Sequence, residues 1–453
     1  MAMSQQSIHG QWSSRWTFIL AATGAAVGLG NIWKFPYLTG VHGGSAFVLV
    51  YIVCVAALGI PLMMAEILIG RRGRYTPVNT MKILAEESGA GPWWQSVGWL
   101  GTLAGMLILS YYSVIGGWTL AYVFKSATGA FRGVTGASAH TMFEAFVGNP
   151  WAILFWHTVF MIMTMMVVAK GVQGGIEKAV QFLMPALFVL LLLLLGYATT
   201  TGFFFDGLAF LFTPDVSRLS GTSMLTAMGQ AFFSLSIGMG TIMIYGSYVP
   251  KGTSIAGTSI AIAGCDTAVA LIAGMAIFPI VFANGMEPGA GPSLIFETLP
   301  VAFGHMTGGL IFGFLFFVLL LIAAWTSSIS LIEPAVTLCI ERYDMTRASA
   351  SLWCGISTWA LGIGTVVSFN VWADRTVFGM TFFDLLDFLT SNLMLPVGGI
   401  LIASFAGWVM APETSRSELD IRHPLGYTLW HLLIRYVAPF AVTLVLLHAL
   451  GLL

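Results

Sequence analysis

Charge is what this chain has least of. Only 8% of its 453 residues are Asp, Glu, Lys or Arg, against about 25% in an ordinary soluble protein. So few charges beside 57% hydrophobic residues cannot cover a water-facing surface. The composition therefore excludes a soluble globular protein and points to a polytopic membrane protein. A net charge of −1 offers no pull on nucleic acid. Cysteine is scarce too. Cys54, Cys265, Cys339 and Cys354 lie in or beside apolar runs with no C-x-x-C pair, and read as small buried residues rather than disulfides or metal ligands. There is no N-x-Ser/Thr sequon and no basic n-region ahead of the first apolar run. These absences suit a bacterial inner (plasma) membrane protein without a cleavable signal. The chain also lacks His-Glu-x-x-His and Gly-x-Ser-x-Gly, and its eight histidines are scattered. That argues against an integral-membrane enzyme.

What is present is apolar length. Runs of about 20 apolar residues span a bilayer. They fall near 14–38, 44–70, 95–124, 150–170, 176–200, 222–248, 256–284, 308–340, 349–368, 384–410 and 428–451. With the N-terminus inside, thirteen of the 18 Lys and Arg residues fall on one face, Arg71, Arg72, Arg74, Lys170, Lys178, Arg342 and Arg422 among them. Lys34, Lys125, Arg132, Arg218 and Arg375 fall on the other. This bias predicts a cytoplasmic N-terminus, and eleven spans then put the C-terminus outside.

Two of these runs are interrupted by glycine. One reads Gly24-Ala25-Ala26-Val27-Gly28-Leu29-Gly30-Asn31, the other Phe233-Ser234-Leu235-Ser236-Ile237-Gly238-Met239-Gly240. Clustered glycines help a membrane helix only where its backbone is meant to open, exposing carbonyls and amides that bind cations and carboxylates. The broken runs are the first and the sixth. Spans 1–5 and 6–10 therefore have opposite topology, an inverted repeat with its site at the breaks. The reading is one transmembrane domain over 1–453, with repeats at about 14–200 and 222–410 and an extra helix at 428–451.

At these residues the chain resembles the neurotransmitter:sodium symporters. The resemblance rests on Gly28-Leu29-Gly30-Asn31-Ile32-Trp33-Lys34-Phe35-Pro36, Gly59-Ile60-Pro61-Leu62 with Glu66, Tyr111-Tyr112, the Phe-Ser-Leu-Ser-x-Gly run of span six, and Thr326-Ser327-Ser328. It covers essentially the whole chain. It implies an all-α LeuT-like 5+5 inverted repeat with discontinuous helices 1 and 6 and an eleventh helix. It also implies Na⁺-coupled symport by alternating access. The short loop between spans three and four is like that of the bacterial branch, whose eleven-span members with a Gly-Met-Gly break take up hydrophobic L-amino acids. The alternative is an amino-acid sensor, receptor or channel-like protein sharing the fold.

The family's sites carry over residue by residue. The resemblance implies two co-transported Na⁺ ions, hard cations that want about six oxygens each. The first would be held by the Ala26 carbonyl, Asn31, Ser234 and Asp266, with the substrate carboxylate completing the shell. Asn31 can equally cap the reopened helix. Many relatives have Asn where this chain has Asp266. In chloride-dependent relatives Tyr51, Gln230, Ser234 and that Asn would surround chloride. Some chloride-independent relatives carry a glutamate one turn further on, where this chain has Ala270. Asp266 is therefore expected to supply the negative charge itself, making transport chloride-independent. The second ion would take the carbonyls of Gly24, Val27 and Ala323 and the hydroxyls of Thr326 and Ser327, although such hydroxyls also bond back to their own helix.

The implied substrate is a small-molecule α-amino acid. Its carboxylate would meet the amides of Leu29 and Gly30 and the Tyr112 hydroxyl. Its ammonium would meet carbonyls of Ala26, Phe233 and Ser234 and the oxygens of Ser236. Its side chain would lie among Ile108, Phe233, Met239, Ser327 and Leu331, which favours neutral hydrophobic substrates. Met239 stands where many relatives have Phe, and a flexible Met accepts varied shapes, although plain core packing is the commoner fate of a membrane Met. Lys34 and Asp387 would pair as an outer gate, with Phe233 and Tyr112 as an aromatic lid. Trp12, Tyr248 and Glu341 match inner-gate positions, with the family's usual arginine replaced around His9; Arg15 could serve there but fits an interfacial anchor better, so the inner gate uses His9, Arg15 or neither. Gly175 and Pro185 match a Gly-x₉-Pro element that unwinds span five in some relatives, and fit an ordinary proline kink as well.

Overall fold

The computed structural model describes residues 10–213, 215, 217, 219–285, 294–421 and 423–453. His9, Arg218 and Arg422 lie outside these. The described chain is helical, with a single isolated bridge between Val377 and Met380 as its only β pairing. The long helices are α1 (Arg15–Ala26), α2 (Gly30–Val41), α3 (Ser45–Gly73), α4 (Pro92–Ala127), α5 (Pro150–Val168), α6 (Val172–Ala198), α7 (Gly221–Ser234), α8 (Thr241–Ser247), α9 (Ile255–Ala283), α10 (Gly309–Tyr343), α11 (Arg347–Ser368), α12 (Phe382–Val409) and α13 (Pro424–Ala449).

Among the described residues, nine of these helices are each long and apolar enough to cross a membrane, and α1 with α2 makes a tenth span bent by 57°. The remaining expected span, 222–248, is not one helix. It is α7, of 14 residues, and α8, of 7, parted at 235–240. At 1.5 Å per residue neither half reaches across a hydrocarbon core of about 30 Å alone. The two interrupted helices are thus the first and the sixth.

Helix starts are set by short polar caps. Ser14 accepts from the Thr17 amide at 3.2 Å, Ser220 from Ser223 at 3.0 Å and Ser254 from Gly257 at 3.1 Å. Asn149 accepts from Trp151 and Ala152 at 3.1 and 3.2 Å, ahead of Pro150 in the first turn of α5. Each cap satisfies amides that a helix leaves unpaired at its start. In an apolar medium those amides have no water to turn to. The fifth expected span begins as a π-helical turn, Val172–Ile176, which contains Gly175, and runs on as helix through Pro185. The core forms where α1, α8, α9 and α10 meet: Phe18, Val27, Ile242, Ile262, Ala323 and Ile332 are all buried there.

Candidate functional site

At the first break, Val27 leaves the helix with φ −69° and ψ 107°. The chain recoils as a π-helical turn over Gly30–Lys34. The Gly28 amide is capped from within the break, donating to Asn31 Oδ1 at 3.1 Å, and the Leu29 amide is capped from α4, donating to the Tyr112 hydroxyl at 3.2 Å. Gly28 is required by close approach, because a Cβ there would stand 2.8 Å from Ser327 Oγ and 2.9 Å from Tyr112 Oη.

The second break is longer and more strained. Ser236, Gly238 and Gly240 have φ of 54°, 84° and 72°, the left-handed region that only glycine enters freely. The Gly238 amide donates to Glu66 Oε1 at 2.6 Å, from α3, and Ser236 Oγ donates to the Ala25 carbonyl at 2.8 Å. A Cβ on Gly238 would lie 2.9 Å from the Leu395 carbonyl oxygen. Glu66, fully buried, is thus the side chain that holds this break open. Its motif is readable in the sequence, its role is not.

Both breaks face one narrow pocket with about 390 Å³ of empty space. The eleven residues expected around a substrate all line it: Ala26, Leu29, Gly30, Ile108, Tyr112, Phe233, Ser234, Ser236, Met239, Ser327 and Leu331, joined by Ala25, Gly28 and Asn31. Every one of them is uncharged.

Two oxygen-rich clusters flank the pocket. In one, Asn31 Nδ2 donates to Asp266 Oδ1 at 2.8 Å, to the Asp266 carbonyl at 3.2 Å and to Ser234 Oγ at 3.1 Å. Ser234 Oγ donates to Asp266 Oδ2 at 2.5 Å, and the Tyr51 hydroxyl stands 3.4 Å from both. Asp266 and Asn31 are fully buried. Among the described residues Asp266 has only these neutral partners and no cation. A carboxylate at that depth without a counter-charge is costly, so a cation placed beside it would be stabilised. Gln230, on α7, donates instead to the Gly30 carbonyl at 3.2 Å.

The other cluster centres on Ser327 Oγ, which donates to the carbonyls of Gly24, Val27 and Ala323 at 3.3, 3.0 and 3.2 Å. Thr326 Oγ1 donates to Ile322 and Ala323 at 3.0 and 3.2 Å. The Ser327 hydroxyl thus meets the carbonyls of Gly24 and Val27 from the first break, while the Thr326 hydroxyl beside it bonds back to its own helix. Among the described residues no group of three or more His, Cys, Asp and Glu could hold a metal. The donors here are carbonyl, hydroxyl and single-carboxylate oxygens, which suit hard alkali cations rather than transition metals.

At the outer gate positions the expected pairing is not formed. Lys34 and Asp387 form no direct ion pair among the described residues. Lys34 Nζ lies 4.6 Å from the centroid of the Phe233 ring, where the ring face attracts a cation. Asp387 instead accepts from the hydroxyls of Tyr111 and Ser391 at 3.2 and 2.9 Å. At the opposite end Trp12 and Tyr248 do meet, with the Trp12 amide donating to the Tyr248 carbonyl at 3.1 Å. Glu341 accepts from the Thr76 amide, the Thr76 hydroxyl and Asn79 at 2.9, 2.6 and 2.6 Å, which fixes the start of the connecting helix Pro77–Glu87. The carboxylate that meets Tyr248 is Glu333, at 2.9 Å. Sequence reasoning missed it, and missed its ion pair with Arg347. Arg15 lies beside Gly257, near the start of α9.

Comparison with known proteins agrees with this geometry. The sequence pattern of the Sodium:neurotransmitter symporter family matches residues 9–138 and 138–451. The sodium-dependent transporter YhdH of Bacillus subtilis (strain 168) is 38% identical over 447 residues, covering 98% of both chains. A sodium-dependent transporter of Haemophilus influenzae is 33% identical over 446 residues, 97% of this chain and 98% of that one. Among solved structures, MhsT in complex with L-phenylalanine is similar to this chain with a TM-score of 0.89 and 44% identity, over 97% of this chain and 99% of that one.

Proposed function

The chain belongs to the sodium:neurotransmitter symporter family, and from that premise we propose that it imports neutral hydrophobic L-amino acids with two Na⁺ ions by alternating access, without chloride. It is a sodium-dependent transporter rather than an enzyme, with the all-helical fold of MhsT. The observation that carries the finer reading is the convergence of both helix breaks on one uncharged pocket flanked by two oxygen clusters.

Each part of that arrangement has work to do. The substrate carboxylate fits the Leu29–Gly30 amides and Tyr112, where a half-helix begins and its dipole is positive. The ammonium fits the opened carbonyls. The first Na⁺ fits Ala26, Asn31, Ser234 and Asp266, sharing the substrate carboxylate, which ties ion binding to substrate binding. The second Na⁺ fits Gly24, Val27, Ala323, Thr326 and Ser327. Ile108, Phe233, Met239 and Leu331 present apolar surface to the substrate side chain, and a similar chain, MhsT, was crystallised with L-phenylalanine. Two ions suffice energetically. Each gains about 2.3 kcal/mol per 100 mV and about 1.4 kcal/mol from a tenfold gradient. Together that is roughly 7 kcal/mol, on the order of 10⁵-fold accumulation.

The buried Asp266 carboxylate stands where chloride would otherwise supply the negative charge, which supports chloride independence. The basic-residue bias supports a bacterial plasma-membrane setting with the N-terminus cytoplasmic and the C-terminus outside, and the two broken helices support repeats at about 14–200 and 222–410 with an extra helix at 428–451. A thermal-shift screen of the twenty amino acids in Na⁺ and in K⁺ tests the substrate class. Leu, Ile, Val, Met and the aromatics should raise the melting temperature in Na⁺ only. Stabilisation by charged amino acids, or equal stabilisation in K⁺, would overturn the reading.

A further inference from the structure

At the end of the bundle opposite Trp12, the helix Gly136–Val147 lies against the segment 294–305, a π-helical turn (Leu294–Thr298) followed by the short helix Leu299–His305. The longer helix is fixed at its start by a reciprocal cap. The Ser138 amide donates to Thr135 Oγ1 at 3.3 Å and the Thr135 amide to Ser138 Oγ at 2.8 Å. Phe143 stacks on Phe296 of the segment, with ring centroids 5.6 Å apart. On the same two elements, one imidazole stands between two carboxylates. His140 Nε2 lies 3.2 Å from Glu144 Oε1, one turn along its own helix, and His140 Nδ1 lies 3.0 Å from Glu297 Oε2 on the segment. Further along the segment Leu299 and Phe303 are buried. They line an apolar cavity together with Ile32 of α2, the residue after Asn31 of the carboxylate cluster.

We infer that His140 is a pH-dependent clasp: protonated, it binds Glu297 and holds the segment 294–305 against α2, and neutral, it lets that segment loosen. The argument is one of donors. A neutral imidazole has one N–H and one lone pair, so one of its two carboxylate contacts would set lone pair against lone pair. Only the imidazolium donates at both nitrogens. The ring is 56% exposed, so protons reach it from water. Hydrogen bonding to Glu297, and then the charge of Glu144, raises the His140 pKa above the ordinary histidine value. The hold is therefore fully present below about pH 6.5 and is lost as the pH rises through the raised value. The other charged or titratable groups on these elements face elsewhere. Lys125, at the end of α4, lies over the rings of Tyr122 and Phe146, 5.4 and 5.3 Å from their centroids, and Tyr122 packs against Phe296. Neither Lys125 nor Arg132 forms an ion pair among the described residues. His305 Nδ1 stands 2.9 Å from the Val301 carbonyl of its own turn. The loop after α11 meets the helix through neutral Asn370, which donates to the Val147 carbonyl at 2.9 Å. A second tether, from the Gly133 amide to the Gly304 carbonyl at 3.2 Å, does not titrate, so the segment loosens at its Glu297 end rather than detaching.

This inference rests on the alternating-access reading, in which that end must open, so its test uses no substrate. Amide hydrogen exchange of the full chain in lipid nanodiscs is compared at about pH 5.5 and about pH 9 for the wild type, His140→Gln, Glu297→Gln and His140→Arg, as protection factors that divide out the chemical pH dependence of exchange. In the wild type, protection over 294–305 and over 30–41 should fall roughly two- to fivefold at the higher pH, the range expected for an exposed ion pair. His140→Gln and Glu297→Gln should show the lower protection at both pH values. His140→Arg, charged throughout, should keep the higher protection at both. A flat wild-type profile, or a fall that survives in His140→Gln or His140→Arg, would overturn the inference. So would a fall over 294–305 that leaves 30–41 untouched. Sodium-dependent stabilisation by amino acids, read on the same samples, reports on the functional proposal independently. Its presence alongside a flat profile would contradict the inference alone; its absence from the wild type would contradict the function.

Discussion

At the first break the chain leaves the helix briefly, bends by 57° and caps its own Gly28 amide with the side chain of Asn31. At the second it stays unwound over 235–240, with three left-handed residues, and its Gly238 amide is held by Glu66 from another helix. Both solve one problem, since an exposed amide in an apolar medium must find a partner. The first does so with one local partner, Asn31, and one distant one, Tyr112, 83 residues from Leu29. The second relies on distant ones, 172 residues away in the case of Glu66 and 211 in the case of the Ala25 carbonyl. The first break can keep its Asn31 cap on Gly28 as α1 and α2 move, while its Leu29 amide depends on Tyr112 staying in reach. The externally held break depends on α1 and α3 remaining in place, which suits a segment that senses whether its neighbours are closed around a ligand.

Deleting the external partner should have the larger effect. Glu66→Ala leaves the Gly238 amide buried and unpaired, at a cost of about 2–3 kcal/mol. The melting temperature should fall, and sodium-dependent substrate binding should weaken at least tenfold. Asn31→Ala removes the local cap and one donor to Asp266, at about 1–2 kcal/mol. It should raise the Na⁺ concentration for half-saturation more than it lowers the melting temperature. If the two variants proved equally unstable, the distinction between a break capped partly from within and an externally held one would fail. The smallest effect is expected at Met239, which lines the pocket without holding either break. Met239→Phe should leave stability within about 1 kcal/mol and shift the order of preferred substrates against the bulkier ones, as read by competition binding.

The spans and their two interruptions were legible because hydrophobic length and clustered glycine are local signals. The pocket was legible for a related reason. Its lining comes from the break motifs and from single helical turns around Ile108–Tyr112 and Thr326–Leu331, so placing the motifs places the pocket. The gates were not legible in this way. Whether Lys34 takes Asp387 or the face of Phe233 depends on a few ångströms of reach across three helices. Glu333 and Glu341 sit eight residues apart on the same helix α10, and no local pattern says which one turns toward Tyr248, 85 residues from Glu333. Ser236 likewise bonds to the Ala25 carbonyl. The family resemblance implies Ala26 in contact with the substrate ammonium but gives no hint of this neighbouring bond, because only the fold fixes the rotation of α1.

The central claim is that sodium binding and substrate binding share one pocket made by the two breaks. It is tested most directly by uptake of labelled L-phenylalanine into proteoliposomes holding the purified chain, with an inward Na⁺ gradient or with K⁺ replacing Na⁺, each with chloride or gluconate outside. The account predicts accumulation above the external concentration only with the Na⁺ gradient, and at the same rate in either anion. Uptake that merely equilibrates, that persists in K⁺, or that collapses when chloride is withdrawn would contradict it.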